Sequence, residues 1–520
     1  MRFTTLSCLC LACAASGVSG QSILNTNRVA KSLTESECIR LALEHNLRIQ
    51  IRRIDPNIDR YTLAAAYGVY DPVFTAEYGK SSKTTEGRFD PSSGVNSSAS
   101  TSDVDSLAAG FTGYLPSGLT YNMSGDISHS RGQQRSGDFD NYISGVGISL
   151  AQPLLKNFWI DQNRLKIKID KQNIKISQYN LDFEIRNVVL DVQKAYYEVA
   201  RALEEIKVQE KALELANALL AQNKEKVRVG TMAPLEEKLA EATAATTMAS
   251  LIGAQRDLVT RENELKSLIT DNYEAWLNNS IDPVDRLVAV PERNTLLQSM
   301  TDAIAKRPDY QAAVVTTESQ GIRVKYSYNQ LFPELNLLGG YGYSGIDSSS
   351  DAIANPAPPP AFFPAHRASA NGAFGDIADQ NNPRWNFGAL LRIPLSRKTE
   401  RNNYQSAKQT LKQVELEMKK IHQTILKDVD NSLTSVIAAY ESVGATRQAR
   451  VYAESALEAE QKKLENGKST NFDVLGLQEK LTKARSDENK ALADYNKALA
   501  DLHYQDGTSL ERKQISLQFK

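Results

Sequence analysis

The feature that most constrains this chain is a ladder of apolar residues spaced alternately four and three apart. It runs Ile185, Val189, Val192, Tyr196, Val199, Leu203, Ile206, Glu210, Leu213, Asn217, Leu220, with polar rungs only at Glu210 and Asn217. This spacing is the seam of a supercoiled helix bundle. It predicts one helix over roughly Gln162 to Val229, ended by Val229-Gly230-Thr231. At ~1.5 Å per residue such a helix spans about 100 Å. Propensity alone does not hold a helix of that length, so its stripe needs a partner along its whole course.

The partner lies later in the same chain. A second long helix is predicted over about Arg397 to Asn466. Val429, Leu433, Val436, Tyr440 and Val443 fall 237 residues after Val192, Tyr196, Val199, Leu203 and Ile206, and Gly467 falls 237 after Gly230. Ladder and turn therefore keep one register in both copies. Upstream, Ala303-Ile304-Ala305-Lys306-Arg307-Pro308 follows Ala42-Leu43-Glu44-His45-Asn46-Leu47 by 261, as Pro333 follows Pro72. The chain thus reads as two copies of helix, strands, long helix, glycine turn and returning helix, an internal repeat that outweighs any single segment.

The expected boundaries follow from this layout: a leader at 1–20, helices at 21–72, strands with loops at 73–152, and a helical hairpin at 153–270. An irregular linker at 271–293 leads into the second copy. That copy has helices at 294–332, strands with a Pro-rich loop at 333–393, a hairpin at 394–506 and a tail at 507–520. Thr34-Glu35-Ser36-Glu37 reads as a capping box opening a helix that runs to about Tyr67, with a kink or break at Pro56. The returning helices start at Pro234 and Asn471.

Between the helices the period changes to two. Leu119, Tyr121, Met123, Gly125 and Ile127 alternate with Thr120, Asn122, Ser124, Asp126 and Ser128. Segments of about ten residues, apolar one way and small or polar the other, match a membrane barrel, although any half-buried antiparallel sheet alternates too. Ser81–Ser106, Arg131–Asp140 and Ser344–Pro383 read as polar loops. The first block holds four strands and the second two, which leaves the hairpin near Leu107–Ser128 as an accessory piece. Phe158, Trp159, Tyr341 and Trp385 suit either an aromatic girdle or packing at the strand-helix junction.

Composition narrows the class. The 520 residues carry 61 Lys and Arg against 62 Asp and Glu, which gives no reason to expect a nucleic-acid partner. The start, Met1-Arg2-Phe3 followed by apolar and small residues to Gly20, reads as a secretory signal. Cys8, Cys10 and Cys13 fall inside it, leaving Cys38 as a small buried hydrophobe. After the leader no apolar run is long enough for a membrane helix, so a mature protein that spans a membrane must do so as a closed barrel.

These features together resemble the TolC-type outer-membrane efflux duct family. The resemblance rests on the signal, the duplicated layout and the junctions Gln152-Pro153-Leu154 and Ile393-Pro394-Leu395. It rests also on the turns Val229-Gly230-Thr231 and Asn466-Gly467-Lys468, the second followed by Asp473-Val474-Leu475. It implies a mixed α and β membrane protein: a homotrimer with one outer-membrane β-barrel and a periplasmic α-helical barrel of coiled-coil hairpins. It implies two further partners, a periplasmic adaptor docked on the turns and an inner-membrane pump that supplies the energy. Carried over by position, Glu236 and Asp473 would narrow the periplasmic entrance as carboxylate rings. Gly476 and Ser469 depart from the family pattern, where an aspartate and an arginine are often found. Read without the family, the two acids are first-turn residues favoured by the helix dipole, and the glycines are C-caps.

Nothing points to an enzyme, a cofactor or a metal. His45, His129, His366, His422 and His503 are scattered without ligand spacing, and no phosphate loop or nucleophile elbow is present. The rival reading is an exported coiled-coil structural or adhesion protein with a small β domain and no channel. It accounts for the heptads but not for the repeat or the mirrored Pro-Leu junctions.

Overall fold

The computed structural model describes residues 28–515, apart from 88, 93, 97–98, 135–136, 293–294, 351–352, 356–360 and 364. The expected leader with its three cysteines, and the proline run Pro358-Pro359-Pro360, lie outside the described residues. In chain order the first copy holds β1 (Val29–Leu33), α1 (Glu35–His45), α2 (Leu47–Tyr67), β2 (Val73–Thr85), β3 (Ser100–Tyr114), β4 (Thr120–Gln134), β5 (Gly137–Pro153), α3 (Gln162–Arg228) and α4 (Pro234–Ile269). After β6 (Asn279–Pro283) the second copy holds α5 (Leu296–Lys306), α6 (Pro308–Asn329), β7 (Glu334–Ser348), α7 (Ala370–Ala378), β8 (Pro383–Arg392), α8 (Lys398–Glu465) and α9 (Asn471–Gln505). Two units result: one of residues 28–52, 181–308 and 422–515, the other of residues 53–180 and 309–421.

The first unit is built on the ladder. The expected capping box forms, with Glu37 N–H donating to Thr34 Oγ1 at 3.3 Å and Thr34 N–H to the Glu37 carboxylate at 2.8 Å. The break comes at Asn46 and not at Pro56, the expected place of a kink or break: the Asn46 backbone is extended, and its side-chain oxygen accepts from Arg48 N–H at 2.9 Å to cap α2. The helix continues through Pro56. Ile185, Val189, Val192, Tyr196, Val199 and Ile206 are buried with Cys38, Ile39, Leu258, Leu265 and Ile281. Burial pushes the Cys38 thiol up to about 12.

Toward the far end of α3 the ladder shifts. Glu210 and Asn217 are exposed, and Ala216, Leu219 and Asn223 are buried instead. The packing partner changes there: Leu219 packs with Leu457, Val474 and Leu481 of the second copy, not with the cluster around Val192 and Tyr196.

Sequence reading missed the parallel pair β1 and β6, which runs from Val29 opposite Asn279 to Leu33 opposite Pro283. The Tyr196 hydroxyl ties it down, donating to the Leu33 carbonyl at 3.1 Å and lying 3.0 Å from the Asp285 carboxylate. Strands this short and this far apart in sequence carry no periodic signal.

The second unit contains a six-stranded antiparallel sheet in the order β8-β7-β5-β4-β3-β2. The hairpin expected as an accessory is β3 with β4, inside the sheet and paired on both sides. The polar loops are also shorter than expected, because β2 runs to Thr85, β3 begins at Ser100, β4 reaches Gln134 and β5 begins at Gly137. Ladder bonds are made by backbone, so a strand continues through Ser, Thr and Asp where no face needs burial.

The register sets one apolar row across all six strands: Phe74, Phe111, Met123, Ile148, Tyr341 and Trp385. The next row, on the other face, is Thr75, Gly110, Ser124, Gly147, Gly342 and Arg384. The apolar row is 37% to 75% exposed, so its large side chains lie without protein cover, while farther along the same face α7 covers Ser144, whose hydroxyl donates to the Ala373 carbonyl at 2.9 Å. Tyr341 and Trp385 stand in that row. Phe158 and Trp159 instead join Phe332 at the junction, with the Trp159 and Phe332 rings edge-on at 5.5 Å. There, buried Asn329 ties the two copies by accepting from Asn157 N–H at 2.7 Å and donating to the Leu155 carbonyl at 3.2 Å.

Candidate functional site

The two hairpin turns belong to the first unit, and both are built the same way. At the end of α3, Gly230 N–H donates to the Val227 carbonyl at 3.0 Å and Thr231 N–H to the Lys226 carbonyl at 2.9 Å. At the end of α8, Gly467 N–H donates to Leu464 at 3.0 Å and Lys468 N–H to Lys463 at 2.8 Å. This paired pattern satisfies the last carbonyls of each helix and needs a left-handed residue after the cap. Gly230 has φ 79° and Gly467 φ 72°. A Cβ on either would meet nothing within 4 Å, so backbone conformation, not crowding, demands glycine. Val229, Gly230, Thr231, Asn466, Gly467 and Lys468 are all exposed.

The returning helices begin differently. Thr470 caps α9: its hydroxyl accepts from Asp473 N–H at 3.3 Å and donates to the Asp473 carboxylate at 2.6 Å. Asp473 is exposed. Ala233, at the same place before α4, makes no side-chain cap, and Pro234 follows it. Glu236 is only half-exposed, and its Oε2 is buried without a hydrogen-bond partner. The two predicted acids thus sit at matching positions in different surroundings. Ser469 has its own task, donating to Glu460 at 2.5 Å. That hydrogen bond, with Lys463 at 2.9 Å, holds the Glu460 carboxyl below its usual range.

Sequence reading missed the residues that join the turns. Asn471 is buried, and its amide reaches Met232 Sδ at 3.3 Å, linking the second turn to the first. Asn223 is fully buried and donates to the Glu236 carbonyl at 3.4 Å. The side-chain oxygens of Asn223 and Asn471 are buried without partners, like Glu236 Oε2. Their only sequence signal is polarity on an apolar stripe, which in the ladder was attached to Asn217 instead. Below them Leu219, Leu457, Val474 and Leu481 pack together. Val229, Leu235 and Phe472 are exposed around the turns. A groove of about 700 Å³, with Thr243, Thr247, Phe472, Gly476 and Thr482 in its wall, opens beside them. Gly476 stands in that groove, where a larger residue would reduce its volume.

Duplicated hairpins, matched glycine turns and a sheet with an exposed apolar row form a distinctive set. The model of one protein family, outer membrane efflux protein, matches residues 117–270 and 300–508. The chain belongs to that family. It is a TolC-like outer-membrane efflux channel, and its family is one of channels. Among solved structures it is similar to the outer membrane channel CmeC of Campylobacter jejuni at 15% identity and TM-score 0.62, covering 91% of this chain and 86% of that one. It is also similar to the outer membrane protein VceC of Vibrio cholerae, at 15% identity and TM-score 0.63, covering 91% and 96%. The open-state MtrE outer membrane channel of Neisseria gonorrhoeae gives 17% and 0.61, covering 92% and 89%. At such identities these likenesses concern the fold. No match is found among curated proteins.

Proposed function

We propose that three copies of this chain form a passive exit duct through the outer membrane. The sheets close into one barrel in the lipid. The helical hairpins form a tunnel in the periplasm, and their turns dock a periplasmic adaptor that is coupled to an inner-membrane pump. The cargo is small toxic compounds or secreted substrates, chosen by the pump, as in tripartite efflux or type I secretion. The observation that carries this reading is the matched pair of exposed glycine turns, linked by Asn471 and Met232 and ringed by Val229, Leu235 and Phe472. A threefold assembly repeats that surface three times. Exposed sheet edges cannot face lipid, which favours closure between copies.

The test is Gly230→Glu with Gly467→Glu. Trimers form as in the wild type, because no atom lies where the new side chains begin, while efflux in whole cells falls to the level of a deletion strain. Normal efflux by the double variant would remove the turns from docking. Glu236 and Asp473 are the proposed gate. Replacing both with Ala lowers cation selectivity in single-channel recordings, and unchanged selectivity would take them out of it.

A further inference from the structure

We infer that the membrane barrel of this channel closes with six strands from each copy, eighteen in all, with the β3-β4 hairpin as part of its wall. This rests on the trimeric reading above and adds to it the size of the barrel and the place of the hairpin.

The argument begins with register. β3 and β4 are 15 residues each, while β2 and β5 are 13 and 17. A tilted strand needs only ~9–11 residues to cross a bilayer. Both strands are therefore long enough to span, and both are paired on each side through most of their length. The apolar row enters the hairpin at Phe111, leaves it at Met123 and continues to Ile148 without a step. The alternate row keeps its small and polar character through Gly110 and Ser124. A hairpin folded over a barrel mouth, or lying in its lumen, has no reason to carry the lipid-facing row in phase with its neighbours. A one-residue slip would put Met123 on the polar face.

The edges complete the argument. Among the described residues of the single chain β2 pairs only with β3, and β8 only with β7. With six alternating strands, β2 and β8 run in opposite directions, so β2 of one copy meets β8 of the next as another antiparallel pair. Every backbone group then finds a partner, as the bilayer requires.

The size follows from geometry. Strands ~4.8 Å apart and tilted ~40° each take about 6 Å of circumference. Eighteen strands then make a barrel about 36 Å across between backbones, against about 24 Å for twelve. Barrels of 16–18 strands leave an aqueous channel. The membrane portion therefore does not limit cargo size, and narrowing is left to the helical end.

The experiment uses the full-length protein in lipid nanodiscs. Electron cryomicroscopy is expected to show threefold particles with eighteen strands and β2 against β8 at each subunit boundary. A trimer with twelve strands, and β3-β4 outside the wall, overturns the strand count and leaves the duct reading intact. Particles without threefold symmetry overturn both. A second measurement needs no image. In a Cys38→Ala background, spin labels at Met123→Cys and Phe111→Cys are expected to be relaxed by lipid-soluble oxygen several-fold more than by a water-soluble nickel chelate. Labels at Asn122→Cys and Ser124→Cys should show the reverse. Equal exposure of all four to the chelate would overturn the placement of the hairpin.

Discussion

The two hairpin turns have the same backbone and different supports. Gly230 and Gly467 close their helices with matching hydrogen bonds. After Gly467, Thr470 caps the returning helix, and buried Val474 and Leu481 anchor it. After Gly230 there is an uncapped Ala233, and Ala244 stands at the position matching Leu481. Near its turn the first hairpin buries two side-chain oxygens without partners, Asn223 Oδ1 and Glu236 Oε2, against Asn471 Oδ1 in the second. Buried polar atoms left unpaired cost stability, so the first hairpin is the looser of the two. The duplicated sequence preserved the turn and let its support diverge.

The sharpest way to break this comparison is to equalise the supports. Leu481→Ala gives the second hairpin the small residue of the first and should destabilise it by roughly 2–4 kcal/mol. Hydrogen exchange at α9 reads the change, and a loss equal to that of Ala244→Gly would deny the asymmetry. Next in size is a pH effect at a third turn of the same type, Gly507, where Thr508 N–H donates to the His503 carbonyl. Burial, aided by Arg512 and Lys513, pushes the His503 imidazole down from 6.5 to about 3. Its stabilising contribution is complete above 6.5 and is lost as pH falls toward 3, because the unfolded chain takes up the proton first. Between pH 7 and 5 the loss is roughly 2 kcal/mol. Thermal unfolding of His503→Gln should lose that slope.

The third turn also tests the glycines. A Cβ at Gly507 would lie 3.0 Å from the Lys306 Cβ, whereas Gly230 and Gly467 face open space. Gly230→Ala and Gly467→Ala should cost about 1 kcal/mol each from conformation alone. Gly507→Ala should cost more, measured as a larger fall in Tm. The smallest effect is at the caps. Thr470→Ala should loosen the start of α9 by about 1 kcal/mol, and Ala233→Ser should tighten α4 by a similar amount. Hydrogen exchange of the first-turn amides is the readout, and no change at either would mean the caps do not set tip stability.

Much of this architecture was legible residue by residue. Gly230 and Gly467 announced the turns because only glycine adopts that backbone without strain. Thr34 and Glu37 announced a helix start because their hydrogen bonds are local. The ladder from Ile185 to Ile206 was legible because its neighbours lie one turn away. Beyond Glu210 the same pattern failed, since α3 there packs on Leu457, Val474 and Leu481 and buries Leu219 where the ladder pointed to Leu220. The pair of β1 with β6 was invisible, because its partners are 250 residues apart and each strand has only five residues. At the turns, sequence position equated Glu236 with Asp473, whereas surroundings separated them.

The sequence by itself determined the duplication, the helix lengths, the glycine turns and the alternation of the strands. All of these arise from contacts within a few residues or from repetition along the chain. Only the tertiary structure decided that β3-β4 is part of the sheet, that Asn471 reaches Met232, and that Asp473 is exposed beside the Thr470 cap while Glu236 is partly buried. Those outcomes depend on which distant segments meet, and local propensity carries no record of that.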